Sequence, residues 1–236
     1  MSVERGRQML SAQGLNLFAV LGMDMLPEAL LPELEKAGVA TGDYSRLIMI
    51  GHGGNLMWRH LSEHGLQGDD PVDDYSVRLA RRFVAEFLDD CDCHVLYPGK
   101  VQVPLQKLGT VAGWHHASPL GLGVNAEYGP WFGYRVVLLV QAEIPVSVDP
   151  AGPSPCDSCA DKPCVRTCPV DALSPAAMPD VAVCVDHRMS NGSECAYTCL
   201  ARHACPAGSP HRYGEEQTRY FYGRSLESIR AWLTNT

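Results

Sequence analysis

The stretch CDSCADKPCVRTCP, residues 156–169, and its continuation to CLARHACP, residues 199–206, decide how this chain is read. The first piece places Cys156, Cys159, Cys164 and Cys168, with Pro169 directly after the last. The continuation adds Cys184, Cys195, Cys199 and Cys205, again followed by a proline, Pro206. Two groups of four cysteines, each closed by Cys-Pro, form the pattern of a segment that holds two iron–sulfur clusters. Thiolates suit the soft iron of a cluster. A proline after the last ligand stops the chain from running on into helix or strand.

The first group, Cys-x2-Cys-x4-Cys-x3-Cys-Pro, is close to the bacterial ferredoxin run, whose fourth cysteine ligates the other cluster. Crossing the ligands in that way assigns Cys156, Cys159, Cys164 and Cys205 to one [4Fe–4S] cluster, and Cys168, Cys184, Cys195 and Cys199 to a second. Two departures stand against the match. Four residues separate Cys159 from Cys164 where the ferredoxin run has two, and the second group is looser, Cys-x10-Cys-x3-Cys-x5-Cys. One cluster with zinc or free thiols, or zinc or disulfides alone, are the other readings of the same residues. Asp157, Lys162, Arg166, Arg188 and Arg202 lie among the ligands and read as the solvated face of a small module, with tuning of potential or donor docking as the alternative.

A chain of 236 residues with 46% apolar and 19% charged residues can bury one sizeable core and a small appended module. The formal net charge of −8, with no basic block, disfavours a nucleic-acid partner. The amino terminus, MSVERGRQML, has no apolar signal-peptide core, and no stretch approaches the ~18 apolar residues of a membrane span. The expectation is a cytoplasmic protein, where thiols stay reduced and open to metal. Cys91 and Cys93, beside His94, read as free thiols at a helix–strand junction, with metal binding or thiol exchange as the alternative.

Outward from the cysteines, hydrophobic periodicity predicts a helix over residues 3–12, a buried strand at 15–21, a helix at 28–37 and a strand at 46–50. Gly51-His52-Gly53-Gly54 reads as a tight turn into a helix at 56–63. Pro71 opens a long amphipathic helix, complemented by Asp73 and Asp74 in its first turn. Strands are expected at 94–97, 120–124 and 134–142, the last two joined by a turn over 125–131. Residues 145–155 form a proline-rich linker, and 215–235 return to helical periodicity. The fold class is α+β, divided into a core over 1–150, a cysteine module over 151–211 and a carboxy-terminal segment, 212–236, packing back on the core.

Three further blocks, Asp70-Pro71-Val72-Asp73, the stretch from Leu122 to Leu139 (LGVNAEYGPWFGYRVVLL) and Arg212-Tyr213-Gly214-Glu215-Glu216-Gln217 with Tyr220-Phe221, resemble in order and spacing the cobalamin-processing proteins of the cblC type. Those proteins remove the upper ligand of vitamin B12 derivatives on a nitroreductase-like fold. The glycine–aromatic segment next to a two-cluster module is also similar to epoxyqueuosine reductase and the corrinoid reductive dehalogenases, in which clusters feed electrons to cobalamin. The resemblance implies a nitroreductase-like sheet flanked by helices, carrying a ferredoxin-type module, with cobalamin bound base-off and two [4Fe–4S] clusters. Flavin is the alternative small cofactor.

For site residues, the resemblance implies a corrinoid pocket built from the 115–135 segment. Gly121, Gly123 and Gly129 would allow close backbone approach, with Val124 in the same lining; Tyr128, Trp131 and Phe132 would give walls. Asn125 and Arg135 would reach the ring's amides or phosphate, and His115 a hydrogen bond at the pocket. Tyr128 and His116 are the candidate proton donors. The bare residues also admit a simpler reading, in which these aromatics and glycines are core and turns. The implied activity is reductive removal or exchange of the corrinoid's upper ligand, with electrons from a ferredoxin, flavodoxin or other low-potential donor. The alternatives are a cobalamin-dependent reductase of an organic substrate, or a non-enzymatic electron carrier or B12 chaperone. Against a tRNA substrate stand the acidic chain and the lack of a helical-repeat extension. No membrane partner is expected, and a dimer is one option for the assembly.

Overall fold

The computed structural model describes residues 2–150 and 152–234. Among them the chain is α+β, and it divides into two compact units: one formed within 1–115 and 132–152, the other within 116–131 and 153–236.

The first unit contains α1 (Val3–Ala12), β1 (Leu17–Gly22), α2 (Leu31–Lys36), β2 (Arg46–Gly53), α3 (Leu56–His64), α4 (Pro71–Phe87), β3 (Cys93–Tyr97), α5 (Leu105–Val111) and β4 (Phe132–Val140). The strands make one antiparallel sheet in the order β1-β2-β4-β3. The central strands are apolar on both faces: Leu47–Ile50 of β2 and Val136–Val140 of β4 are at most 1% exposed. Burial of each such side chain stabilises the unit by about 1.5–3 kcal/mol, which is why the longest apolar run in the sequence lies at the sheet's centre. α4 crosses this sheet against β4 and packs on α1 and α3, with Val72, Tyr75, Leu79 and Phe83 on its buried side. Gly6 lets α1 press onto α4, since a Cβ there would meet the Phe83 and Phe87 rings at 2.5–2.8 Å.

Two expectations are corrected here. Gly51 to Gly53 do not turn; they extend β2. The Asn16 side chain binds Gly53 as a neighbouring strand would, its Oδ1 accepting from the Gly53 N–H (2.7 Å) and its Nδ2 donating to the Gly53 carbonyl (3.1 Å). Residues 120–124 are not a strand. Ser118 gathers them into a turn, its hydroxyl donating to the Leu122 carbonyl (2.7 Å) and accepting from the Leu120 N–H (3.3 Å). The segment keeps only single bridges, His116 with Val124 and Asn125 with Gly129, and β4 pairs instead with β2 and β3.

The second unit carries α6 (Pro163–Arg166), α7 (Val181–Met189), α8 (Leu200–Ala204) and α9 (Glu215–Thr234). α6 packs on α8, and α7 on α9. Each of the two short helices runs directly into a Cys-Pro pair, Cys168-Pro169 after α6 and Cys205-Pro206 after α8, where proline ends the helical path. α7 starts at Asp180, whose Oδ1 accepts from the Val183 N–H at 3.0 Å. Among the described residues no helix is long and apolar enough to cross a membrane.

Candidate functional site

All ten cysteines are free thiols. The second unit gathers eight of them into two quartets. Burial pushes the Cys205 thiol up, and the neighbouring Cys164, Cys156 and Cys159 push it further, so Cys205 lies with the three cysteines that open the segment rather than with those nearest it in sequence. Lys162 ties this group together. It takes a left-handed backbone conformation (φ 40°), and its Nζ donates to the carbonyls of Cys156 and Cys159.

The second quartet joins Cys168 to α7 and the loop that follows. Burial raises the Cys184 thiol, with Cys199, Cys168 and Cys195 adding to the shift; Cys195 is raised by burial and by Cys199 and Cys168. All four of these cysteines line one cavity of about 320 Å³, otherwise walled mainly by apolar side chains such as Leu173, Val185 and Ile229. Among the described residues no group of three or more His, Cys, Asp or Glu could hold a single metal ion. The four thiols around this largely apolar cavity are the residues that could ligate an inorganic group.

Two of the cations among the ligands are not on a solvated face. Arg188 is 9% and Arg202 8% exposed. Arg188 donates to the carbonyls of Cys195 (3.3 Å), Ala196 (3.4 Å) and Tyr222 (3.0 Å) and to the Ser225 hydroxyl (3.2 Å), with its guanidinium 5.2 Å from the Tyr222 ring centre. Arg202 donates to the Pro130 carbonyl at 2.6 Å and lies 4.7 Å from the Trp131 ring and 4.9 Å from that of Tyr213. Its backbone N–H points to Cys199 Sγ (3.4 Å), where that thiol caps α8. Lys162 is half-buried, while Asp157 and Arg166 are exposed.

The 115–135 segment is divided. His115, Phe132 and Arg135 belong to the sheet unit, and His116 to Trp131 to the cysteine-bearing unit. In the sheet unit, His115 Nδ1 lies 3.1 Å from the Tyr134 hydroxyl, and the Trp114 and Phe132 rings contact the same tyrosine. Arg135 is the extra residue of a bulge, because Ile50 pairs with Val136 and Gly51 with Tyr134; the bulge turns it so that its Nε donates to Nδ1 of the buried His52 at 3.0 Å.

In the other unit, the Asn125 Oδ1 accepts from the N–H groups of Glu127 (2.9 Å) and Tyr128 (3.0 Å), which closes its own turn. Val124 is buried and bridged to His116, with Gly123 between it and the Ser118 turn. Gly121 and Gly129 have positive φ, and a Cβ on Gly129 would sit 2.0 Å from the Ala207 carbonyl oxygen. Trp131 is wholly buried, its ring covered by His203 (5.0 Å), Tyr213 (5.5 Å) and Arg202. That expected wall is thus buried within its own unit. Tyr128 meets the His211 ring at 4.7 Å; burial, together with the Glu127 carboxylate, pushes its phenol up to about 12, so it keeps its proton at neutral pH. His116 Nε2 is buried and makes no hydrogen bond.

No protein-family model matches this sequence, and no curated protein does. Among solved structures, the chain is similar to epoxyqueuosine reductase from Bacillus subtilis, with a TM-score of 0.57 and 11% identity over 90% of this chain and 66% of that one. The fold resembles that of epoxyqueuosine reductase. An epoxyqueuosine reductase solved with an epoxyqueuosine-modified tRNA-Tyr stem loop aligns with a TM-score of 0.55 and 12% identity over 92% of this chain and 68% of that one. The enzyme from Streptococcus thermophilus aligns at 0.51 and 14% identity, over 87% and 66%. The chain therefore spans about two thirds of the length of these proteins. All three of these similar structures are epoxyqueuosine reductases, and none of them is of the cblC type.

Sequence reasoning missed the buried roles of Arg188 and Arg202 and the cradle of His203 and Tyr213 around Trp131. A signal was present for the first. Arg188 follows Cys184 by four residues on α7, one helical turn along the same face, so a Cys184 facing the cavity carries Arg188 inward with it.

Proposed function

We propose that this chain is an iron–sulfur oxidoreductase that works with a corrinoid to reduce an organic substrate, on the pattern of epoxyqueuosine reductase. The observation that carries the reading is the pair of crossed thiol quartets, in a chain whose fold resembles that enzyme's. On this reading the 1–150 portion is the nitroreductase-like part and 151–211 the ferredoxin-type part. Cys156, Cys159, Cys164 and Cys205 would hold one [4Fe–4S] cluster, and Cys168, Cys184, Cys195 and Cys199 the other, with electrons from a low-potential donor. The cblC-type reading, removal of the corrinoid's own upper ligand, has only the three sequence blocks behind it.

A bound corrinoid supplies a strongly reducing cobalt centre. The chain's own residues would supply proton handling. Tyr128 holds its proton through the physiological range and is the candidate acid; His116 offers a buried ring nitrogen without a partner. The substrate is a small organic molecule rather than a polyanion, because the chain is acidic overall.

The test is titration of anaerobically prepared, cluster-loaded protein with cob(II)alamin. Binding shifts the corrinoid spectrum toward its base-off form. An unchanged spectrum at saturating protein, with about eight iron per chain present, would remove the corrinoid from the reading and leave an iron–sulfur electron carrier.

A further inference from the structure

The two thiol quartets differ in one electrostatic respect. Both receive peptide N–H bonds on sulfur: Val165 toward Cys164 and Ala207 toward Cys205 in the first, Leu200 toward Cys195 and Arg202 toward Cys199 in the second. Those bonds do not separate them. The charges around them do. The first quartet has Lys162, half-exposed, and Arg212, exposed and donating to the Cys205 carbonyl (3.2 Å); both are committed to backbone carbonyls, and solvent screens their charge. The second has two guanidinium groups more than nine-tenths buried, Arg188 and Arg202, and neither has a carboxylate partner among the described residues.

An uncompensated buried guanidinium is strongly unfavourable, and arginine does not escape by losing its proton. Arg202 is held beside the second quartet by its backbone N–H on Cys199 Sγ (3.4 Å), with its guanidinium against the Trp131 and Tyr213 rings. The arrangement makes sense if the anion that balances both arginines is the thiolate-bound group in the 320 Å³ cavity, which Arg188 also lines.

Resting on the two-cluster reading above, we propose that Arg188 and Arg202 are the counter-charges of the cluster held by Cys168, Cys184, Cys195 and Cys199, and that they hold its reduction potential above that of the cluster held by Cys156, Cys159, Cys164 and Cys205. One-electron reduction adds a negative charge to a site already bearing four thiolates. A fixed positive charge in a poorly polarisable interior favours the reduced form, whereas the screened Lys162 and Arg212 do so weakly. An electron given to either cluster by a low-potential donor then comes to rest on the second. The arginines act through the thiolate group and not on substrate, so they are positioning residues for charge.

The experiment is a redox titration of the anaerobic, cluster-loaded protein followed by electron paramagnetic resonance. Wild type gives two one-electron waves. Arg202→Gln shifts the more positive wave downward and leaves the other in place, and Arg188→Gln does the same. Arg202→Lys, which keeps the charge, restores most of the wild-type potential. A purely structural role for the side chain would not predict that rescue. Lys162→Gln moves only the more negative wave, and by less. Both glutamine variants leaving the waves unmoved at full iron content, movement of the more negative wave instead, or a single unresolved wave in wild type would each overturn the proposal. If Arg202→Gln does not take up iron, Arg188→Gln and Arg202→Lys decide the matter. A wild-type protein with clearly less than about eight iron per chain refutes the two-cluster reading itself, so the two failures are distinguishable.

Discussion

Replacing Trp131 by alanine separates two roles for that ring, as a wall for a ligand or as the core of the cysteine-bearing unit. The side chain is fully buried, with His203 at 5.0 Å, Tyr213 at 5.5 Å and the Arg202 guanidinium at 4.7 Å. Truncating a buried tryptophan costs about 3–5 kcal/mol. The upper end applies here, because two aromatic contacts at roughly 1 kcal/mol each and a desolvated cation–π contact near 2 kcal/mol go with the ring. With a urea dependence of about 2.5 kcal/mol per molar, the unfolding midpoint should fall by about 2 M. The assay is anaerobic urea unfolding of the cluster-loaded protein, followed by cluster absorbance and far-UV circular dichroism. Trp131→Phe, which still fills most of the space, should lose less than half as much. A Trp131→Ala protein whose midpoint stays within about 0.5 M of wild type, but which no longer binds corrinoid, would refute the core role and restore the wall.

Cys205→Ser should empty the quartet of Cys156, Cys159 and Cys164 and halve the iron, while Cys168→Ser should empty that of Cys184, Cys195 and Cys199; spectra showing each serine damaging its sequence-adjacent group would contradict the crossing. Burial raises the phenols of Tyr128 and Tyr222 to about 12, the first aided by Glu127, the second opposed by Arg202. Both are neutral in the fold while the unfolded chain ionises near 10, so their contribution to stability is complete below pH 10 and is lost as pH rises towards 12. Ultraviolet titration should show late-ionising phenols that disappear in Tyr128→Phe and Tyr222→Phe, and their persistence in both variants would count against the assignment. Gly129→Ala places a methyl at a left-handed φ of 57° and 2.0 Å from the Ala207 carbonyl, so a loss of about 2 kcal/mol or more is expected in thermal unfolding; an unchanged midpoint would mean that the backbone there relaxes freely.

Elements whose burial is written in local composition were legible from the sequence: β1, β2 and β4 as apolar runs, and α4 as a long amphipathic helix opened by Pro71. The sheet order was not, because β4 lies between β2 and β3 through pairings that span dozens of residues, and no local pattern fixes them. Residues 120–124 carry strand-like leucine and valine, yet one serine hydroxyl and the neighbouring glycines turn them, a case of side-chain bonding overriding propensity. The glycines around His52 signalled a turn for the opposite reason: nothing in their own sequence shows that Asn16, 37 residues earlier, supplies the missing strand bonds. At the candidate site, the sequence showed that an aromatic stands at 131 but not what covers it. Arg202 reaches Pro130 from 72 residues away.

The crossing of the quartets has a consequence for how the protein is made. Cys168 to Cys199 lie wholly inside the span that opens at Cys156 and closes at Cys205, like one bracket within another. A ribosome exposes every member of the inner set before the last member of the outer one, so on the two-cluster reading the inner group would close while the outer waits for a single residue. Joining Cys164 to Cys205 closes a loop of roughly forty residues in a free chain but only about ten once the inner group is tied, which lowers the entropic cost by about 1 kcal/mol. On the two-cluster reading, maturation would therefore have a built-in order, with the inner group assembled first and preparing the chain for the outer.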